Sequence, residues 1–208
     1  MTVPRLEQKE RTRRAILDAA LGLSDESTLL ALSLRQVAKE VGIVPTAFYR
    51  HFDSIEELGL TLVEESLDTL RTLLRALRRG AGADYRTIID GSVTVLVEQV
   101  RQHHAHFGFI ARERFAGPPA VRAAIEHGID LAEKELAADL AQLPGTDQWS
   151  ARDREMLSGL IVGAMVSTAE RLISVAPSSP DEERIAETTR TQLRMLLVGA
   201  INWRSQPD

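Results

Sequence analysis

Apolar residues recur at steps of three and four along nearly the whole chain, which is the spacing of one face of an α-helix. The pattern breaks at glycine- and proline-rich clusters, among them Gly80 to Gly82, Gly117 to Pro119, Pro144 to Asp147 and Pro177 to Pro180. No segment shows the alternation of a β-strand, and no motif repeats. We therefore predict an all-α protein of about nine helices.

The stretch from Ser33 to Phe52 predicts a helix, a tight turn and a second, very short helix. Ser33 is a favoured N-cap residue, Gly42 can adopt the left-handed conformation that ends a helix, and Pro45 suits the first position of the next helix. The apolar stripe of the first of these helices consists of Leu34, Val37, Ala38 and Val41. With a preceding helix at about residues 6–24, this predicts a three-helix domain that contains a helix-turn-helix.

The second helix of this motif has two distinct faces. At about 100° per residue, Phe48 and Phe52 fall on one side. The other side carries Thr46, Ala47 and Arg50. A helix this short needs tertiary contacts, which the two phenylalanines can provide. The small, polar and cationic side fits the major groove of DNA, although a helical hairpin within an ordinary core would show a similar pattern.

Charge is unevenly distributed along the chain. The formal net charge is −5, but residues 1–52 carry +2 and residues 53–208 carry −7. The positive charge is concentrated in an N-terminal arm that contains Arg5, Lys9, Arg11, Arg13 and Arg14. DNA phosphates could be bound there, and a solvated basic helix face is the alternative explanation.

The sequence lacks the residues that are characteristic of several other classes of function. The chain has no cysteine, no Gly-rich phosphate loop and no Ser-His-Asp or paired-carboxylate arrangement, so we expect neither an enzyme nor a cofactor. His103, His104 and His106 lack a neighbouring cysteine or carboxylate at helical spacing, so a solvated or capping role is expected and no metal. The longest apolar run, Leu160 to Val166, is too short to span a bilayer, and no signal peptide is recognisable. A cytoplasmic location without a membrane partner is expected.

The two helices predicted at about residues 150–175 and 180–203 are more apolar than solvated helices need to be. Gly159, Gly163 and Ser167 lie on one face of the first, where small side chains let another helix approach closely. The second contains the aliphatic residues Leu193, Met195, Leu196, Leu197, Val198 and Ile201. We expect a second, twofold-related chain to cover both as a four-helix bundle, and completion of the internal core is the alternative.

Taken together, these motifs resemble a known family. The residues that carry the likeness are Ser33-Leu34-Arg35, Val37-Ala38, Val41-Gly42-Ile43, Phe48-Tyr49-Arg50-His51-Phe52 and Glu57-Leu58. At these positions the chain resembles the TetR family of bacterial transcriptional repressors. The resemblance implies a DNA-binding domain at residues 1–53 and a ligand-binding and dimerisation domain at residues 54–208, with the fourth helix, from about residue 54, linking them. It also implies a homodimer, formed by the last two helices, on a palindromic DNA operator.

A narrower likeness extends beyond the helix-turn-helix. Its residues are Gln8 to Arg14, Tyr49 to Phe52, Glu57 to Thr61 and Arg112 to Arg114, which are similar to the FabR type of repressor of unsaturated fatty acid biosynthesis. This likeness implies control of fatty acid synthesis or desaturation, with a long-chain acyl-CoA or acyl-ACP thioester as the effector. A repressor of efflux or catabolic genes that senses another hydrophobic small molecule is the competing hypothesis. A helical adaptor without DNA binding is a more remote one.

The resemblance also assigns residues to DNA contacts. Arg35 is expected to reach a base edge, most naturally a guanine. The predicted DNA-binding set is completed by Pro45, Thr46, Ala47, Tyr49, Arg50 and His51, with Tyr49 and His51 on phosphates. Many family members have a lysine where this chain has Ile55, so the resemblance does not carry over a phosphate contact to that side chain.

Aromatic and basic residues near the middle of the chain are the candidates for effector binding. Phe107, Phe109 and Phe115 are predicted to form an apolar wall. The arginines that could meet a phosphate-bearing headgroup are Arg112, Arg114 and Arg122. Core packing of the phenylalanines and surface ion pairs of the arginines are the alternative explanations.

Overall fold

The computed structural model describes residues 5–24, 27–80, 85–142 and 149–205, and every regular element within these ranges is helical. The elements are α1 (Arg5–Ser24), a 3-10 turn (Leu29–Ala31), α2 (Leu34–Val41), α3 (Pro45–Phe48), α4 (Ile55–Gly80), α5 (Tyr85–Gln102), α6 (His104–Ala116), α7 (Pro119–Leu140), α8 (Ala151–Ile173) and α9 (Pro180–Ile201). The all-α prediction with about nine helices is confirmed. The predicted turn at Pro144 to Asp147 lies outside the described residues.

The chain divides into two compact units. The first comprises residues 1–66 and 105–126, and the second comprises residues 67–104 and 127–208. The first unit therefore contains more than the predicted DNA-binding domain at residues 1–53, because it also includes the start of α4, all but the first residue of α6 and the start of α7. Contacts across long stretches of sequence join these parts, as described below.

The first unit has a core of aliphatic and aromatic side chains around α1, α2 and α3. Its fully or almost fully buried residues include Ile16, Leu17, Ala20, Leu29, Val37, Ala38, Phe48, Phe52, Leu58, Leu62, Phe109, Val121 and Ile125. Gly59 on α4 allows close packing here, because a Cβ at this position would lie 2.5 Å from the Leu29 Cδ1 atom and 3.1 Å from the Val121 Cγ2 atom. The helix-turn-helix is thus packed on the same core as α6 and the start of α7.

In the second unit, α5, α8 and α9 pack together around the buried residues Val93, Ala186 and Leu193. The hydroxyl groups of Thr168 on α8 and Thr189 on α9 form a buried hydrogen bond of 2.8 Å. These contacts use one side of α8 and α9. Away from these contacts, both helices leave large apolar residues exposed, namely Met156, Leu160, Met195, Val198 and Ile201.

Candidate nucleic-acid interface

The start of α2 is fixed by a capping box. The Ser33 Oγ atom accepts a hydrogen bond of 3.2 Å from the Gln36 N–H, and the Gln36 Oε1 atom accepts one of 2.9 Å from the Ser33 N–H. Val37 and Ala38 bury the inner side of the helix. The predicted cap is confirmed, and it holds the backbone next to Arg35, whose side chain is exposed.

Gly42 makes the turn between α2 and α3. Its φ of 74° and ψ of 29° are left-handed, and its N–H donates to the Lys39 carbonyl at 3.1 Å. A residue with a Cβ rarely adopts this conformation, so glycine sets the direction in which the chain leaves α2. Pro45 occupies the first turn of α3, as predicted, where a backbone N–H would have had no helical partner.

The short helix α3 is held in place by aromatic residues. Phe48 and Phe52 are buried, as predicted, with ring centroids 5.9 Å apart. The Arg13 guanidinium lies 4.1 Å from the Phe52 ring centroid and donates a hydrogen bond of 2.7 Å to the His51 carbonyl. The Arg13 contacts connect α1 to the segment directly after α3, and the packing of Phe48 on Phe52 links this segment to α3. Together they supply the stability that four helical residues cannot provide alone.

The outward side of α3 and of the turn that follows it combines polar, cationic and aromatic groups. Thr46, Tyr49 and Arg50 are exposed, as is Pro45, and Ala47 is half-buried. Together with Arg35 on α2, these residues form an accessible surface beside the turn. This surface carries one guanidinium on α2 and one in the turn after α3, together with the small residues of α3. Such a composition can support hydrogen bonds to base edges and phosphates.

His51 is half-buried, and its pKa is lowered chiefly by burial and then by the positive charges of Lys9 and Arg13. The imidazole is therefore neutral at pH 7. A neutral ring can offer a phosphate one N–H hydrogen bond, and the negative charge of that phosphate would favour the protonated ring.

The basic N-terminal arm offers fewer cations to a ligand than its sequence suggests. Arg13 is engaged with His51 and Phe52, as described above. Arg14 donates to the carboxylates of Asp18 and Glu65 at 2.8 Å and 2.7 Å. The side chain of Arg5 lies outside the described part of the chain. Lys9, Arg11 and Arg14 are the exposed cations described in this arm, and the charge of Arg14 is already paired with carboxylates.

The three phenylalanines predicted to contact the effector have different environments. Phe109 is completely buried, Phe107 is half-buried, and Phe115 is 71% exposed. In this structure they do not form the common apolar wall that was predicted. The physical reason is the helical repeat of α6, since residues two positions apart point about 200° away from each other.

The three arginines predicted to meet a headgroup all have partners within the protein. Arg112 donates to the Ser24 carbonyl at the end of α1, and Arg122 donates to the Gly117 carbonyl at 2.9 Å. The Arg114 guanidinium lies 5.2 Å from the Phe115 ring centroid. Arg122 remains exposed, whereas Arg112 and Arg114 are half-buried.

Glu113 is a buried carboxylate that the sequence did not identify as a structural residue. Its Oε1 atom accepts a hydrogen bond of 3.0 Å from the Leu29 N–H, and no described group donates to its Oε2 atom. Burial raises the pKa of Glu113, while the Leu29 hydrogen bond and the Arg112 charge oppose this shift. Glycine at position 117 leaves room for it, because a Cβ there would lie 2.6 Å from Oε2.

Two further features of the second unit bear on possible ligands. An open groove of about 230 Å³ between α7 and α8 is lined by Lys134, Ala137, Ala138, Ala141, Ala151, Arg154 and Glu155. In the histidine-rich stretch, the His104 Nε2 atom lies 3.0 Å from the Ile173 carbonyl at the end of α8. Within the described ranges, no three His or carboxylate residues are grouped as metal ligands would be.

Two family models together match most of the chain. Residues 16–60 match the model of bacterial regulatory proteins of the tetR family, and residues 85–199 match the tetracyclin repressor-like C-terminal domain. The first match covers the last nine of the 20 residues of α1 and the whole of the helix-turn-helix. The second match covers more than half of the chain and runs from α5 into α9.

Solved structures with the same fold come from several bacteria. A TetR-like transcriptional regulator from Rhodococcus sp. RHA1 is 18% identical with a TM-score of 0.71, covering 95% of this chain and 100% of that one. The fatty acid degradation regulator FadR from Bacillus halodurans is 16% identical (TM-score 0.67, coverage 93% and 96%), and the ketosteroid transcriptional regulator KstR2 of Mycobacterium tuberculosis is 22% identical (0.63, 94% and 95%). The chain belongs to the TetR family of DNA-binding transcriptional regulators.

Proposed function

We propose that this protein is a dimeric cytoplasmic repressor of fatty acid synthesis or desaturation genes, with a long-chain acyl thioester as its effector. The observation that carries the DNA-binding part is the exposed polar and cationic surface of α2 and α3, backed by the buried Phe48 and Phe52. The fatty acid part is supported by the sequence likeness to FabR-type repressors, which extends to Arg112 to Arg114.

On DNA, α3 enters the major groove with Thr46, Ala47 and Arg50 towards the base edges, and α2 brings Arg35 to a guanine. A bidentate arginine contact of this kind discriminates against other bases by about 1–3 kcal/mol. Tyr49 and His51 contact phosphates and fix the position of the helix without reading sequence.

The exposed apolar side of α8 and α9 supports a dimer interface. A Cβ added at Gly163 or Gly199 would meet no atom within 4 Å, so no contact within the chain requires glycine at either place. Glycine in a helix interior costs about 0.5–1 kcal/mol relative to alanine. Close approach of a second chain would explain why glycine is present despite this cost, because the missing side chain lets two helix backbones come into contact.

The composition of α8 admits another explanation for its exposed apolar residues. By length and composition it is the one described helix that could cross a membrane, and 17% of its most apolar stretch is buried. We favour a second copy of the chain as the cover, because the exposed residues continue onto α9 as Met195, Val198 and Ile201. Two such helix pairs form a four-helix bundle.

A twofold dimer places two copies of α3 in successive major grooves, about 34–36 Å apart, so the operator is a palindrome. An effector changes DNA affinity only through different affinities for the DNA-competent state and another state. We propose that acyl-chain binding in the predicted ligand-binding domain, residues 54–208, changes the separation of the two recognition helices. Phe107, Arg114, Phe115 and Arg122, all at least partly accessible, remain candidates for this ligand along with the buried Phe109 and Arg112.

A repressor that responds to a different hydrophobic molecule is the second candidate. The solved structures of similar fold include FadR, named for fatty acid degradation, and KstR2, named for ketosteroids. Both names concern lipid-like molecules, and catabolic genes are the target in the first. This candidate shares the DNA-binding surface and the dimer and differs in the effector and the regulated genes.

The DNA upstream of the gene for this protein and its neighbours provides the test. We expect salt-dependent binding in a fluorescence anisotropy titration, and a shift of the binding curve by long-chain acyl-CoA that a ketosteroid does not produce. Arg35→Ala should weaken operator binding, and the matched control Arg184→Ala, which removes an exposed cation from α9, should not. Equal binding by both variants would refute the role of Arg35, and an effect of the ketosteroid alone would favour the second candidate.

The dimer has a separate test. Gly163→Leu should shift the protein towards monomer in sedimentation velocity experiments, because the new side chain occupies the proposed interface. Gly22→Leu is the matched control, since Gly22 is an exposed helical glycine of α1 with open space around it. A wild-type monomer at all accessible concentrations, or equal dimerisation of both variants, would contradict this interface.

A further inference from the structure

Val44 occupies the N-cap position of α3 and is 64% exposed. Its backbone is extended, with φ of −73° and ψ of 145°, and its side chain makes no capping hydrogen bond. Serine, threonine, aspartate and asparagine are strongly preferred at this position, and valine is among the residues that are disfavoured there. The side chain of Val44 therefore neither caps α3 nor contributes to the core of the unit.

The helix tolerates valine here because few N–H groups in its first turn need a partner from the N-cap side chain. Pro45 has no N–H, and the Ala47 N–H donates to the Val44 carbonyl at 2.8 Å. The Val44 carbonyl thus accepts the first hydrogen bond of α3, as an N-cap carbonyl does. The side chain takes no part in the cap and is available for a contact outside the chain. Val44 lies two residues before Thr46 in sequence, and Val44, Pro45 and Thr46 are all exposed.

The position of Val44 at the start of the recognition helix determines which DNA groups its exposed apolar side chain can contact. N-terminal residues of a recognition helix are the ones that contact base edges in the major groove. Among those edges, only thymine presents an apolar group, its C5 methyl, to an incoming side chain. We propose that Val44 is a specificity-determining residue that selects a thymine in each half-site by packing on this methyl group. The inference rests on the proposed DNA binding.

Deoxyuridine substitution isolates this contact, because it removes the methyl group of thymine and leaves the O4 acceptor and the base pairing unchanged. The operator is first selected from a random duplex library with the wild-type protein, and each thymine pair is then replaced symmetrically. Withdrawing one methyl-sized group from water corresponds to about a fourfold change in affinity per half-site, or about fifteenfold for both. We expect such a loss at one thymine position for the wild-type protein.

Val44→Ser removes the apolar contact and supplies a capping hydroxyl, so the variant should fold at least as well as the wild type. It should bind the thymine and deoxyuridine operators equally at that position, whereas Val44→Ile should keep the preference. Leu30→Ser is the matched control, because Leu30 is 65% exposed in the same unit but lies on the 3-10 turn before α2. This variant should retain the wild-type deoxyuridine penalty.

The possible results distinguish the contact of Val44 with thymine from DNA binding itself. If the wild-type protein binds a selected operator but every deoxyuridine effect is the same in Val44→Ser, the thymine contact is refuted and the DNA-binding function stands. If the wild-type protein selects no operator, both the proposed function and the thymine contact fail. A penalty at one position that disappears in Val44→Ser and persists in Leu30→Ser establishes the contact.

Discussion

Replacing Glu113 with alanine should destabilise the first unit more than a typical single substitution. The Leu29 N–H is buried and donates to the Glu113 carboxylate, so the substitution leaves this donor without its partner. An unsatisfied buried donor costs about 1–3 kcal/mol, and the cavity left by the side chain adds to that cost. We expect a loss of about 2–4 kcal/mol in the free energy of unfolding at neutral pH.

Glu113→Gln separates the hydrogen bond from the charge. Burial raises the pKa of Glu113 in the folded protein above its ordinary value of 4.5, so the folded state keeps a proton that the unfolded state has already released. The stability that protonation provides is therefore fully present below pH 4.5 and is lost as the pH rises through the raised pKa. Glutamine keeps an acceptor for Leu29 and does not titrate, so this component of the pH dependence should disappear.

Urea denaturation followed by circular dichroism, from acidic to neutral pH, measures both effects. Glu64→Ala serves as the control, because Glu64 is an exposed glutamate on α4 and its removal should have little effect. An alanine variant at position 113 with wild-type stability would show that the Leu29 hydrogen bond is dispensable. A glutamine variant with the wild-type pH dependence would show that the buried carboxylate does not titrate in this range.

Three further substitutions test other parts of the fold. Gly42→Ala should destabilise the protein by about 1–2 kcal/mol in urea denaturation through the left-handed backbone alone, because a Cβ there meets no atom within 4 Å. Thr168→Val should cost about 1 kcal/mol in the same assay by removing the buried hydrogen bond to Thr189. The hydrogen bond from Arg101 lowers the pKa of Glu182, so this carboxylate stabilises the fold above its ordinary pKa of 4.5 and the stabilisation is lost as the pH falls through the lowered value. Glu182→Gln should therefore be less stable than the wild type at neutral pH, with a difference that disappears in acid unfolding curves.

Local rules predicted the helix-turn-helix well. Ser33, Gly42 and Pro45 act through their own backbone or near neighbours, and each has the role that its residue type favours. The helical repeat alone predicts that Phe48 and Phe52 face the interior, and both are buried. Physical determinants of this motif span a few residues, which is why one sequence was enough to place them.

Contacts between distant parts of the sequence were not predictable in the same way. The hydrogen bond from the Leu29 N–H to the Glu113 carboxylate joins residues 84 positions apart, and no local sequence pattern at either residue predicts the other as its partner. The basic N-terminal sequence predicts Arg13 as a cation for phosphate, but its guanidinium packs on Phe52. The helical projection that orients α3 also separates Phe107 from Phe109 on α6, so residue type alone does not predict their different environments.

The tie between Glu113 and Leu29 also defines which piece of this protein can be transferred as a module. A chimeric repressor made by joining residues 1–53 to another ligand-binding domain would lose the carboxylate that accepts the Leu29 N–H, and Val121, which packs near Leu29 and Gly59, would be lost with it. Residues 105–126 belong to the same compact unit as the helix-turn-helix. A portable DNA-binding head therefore consists of two separate stretches of sequence, and an exchange between relatives should move both together.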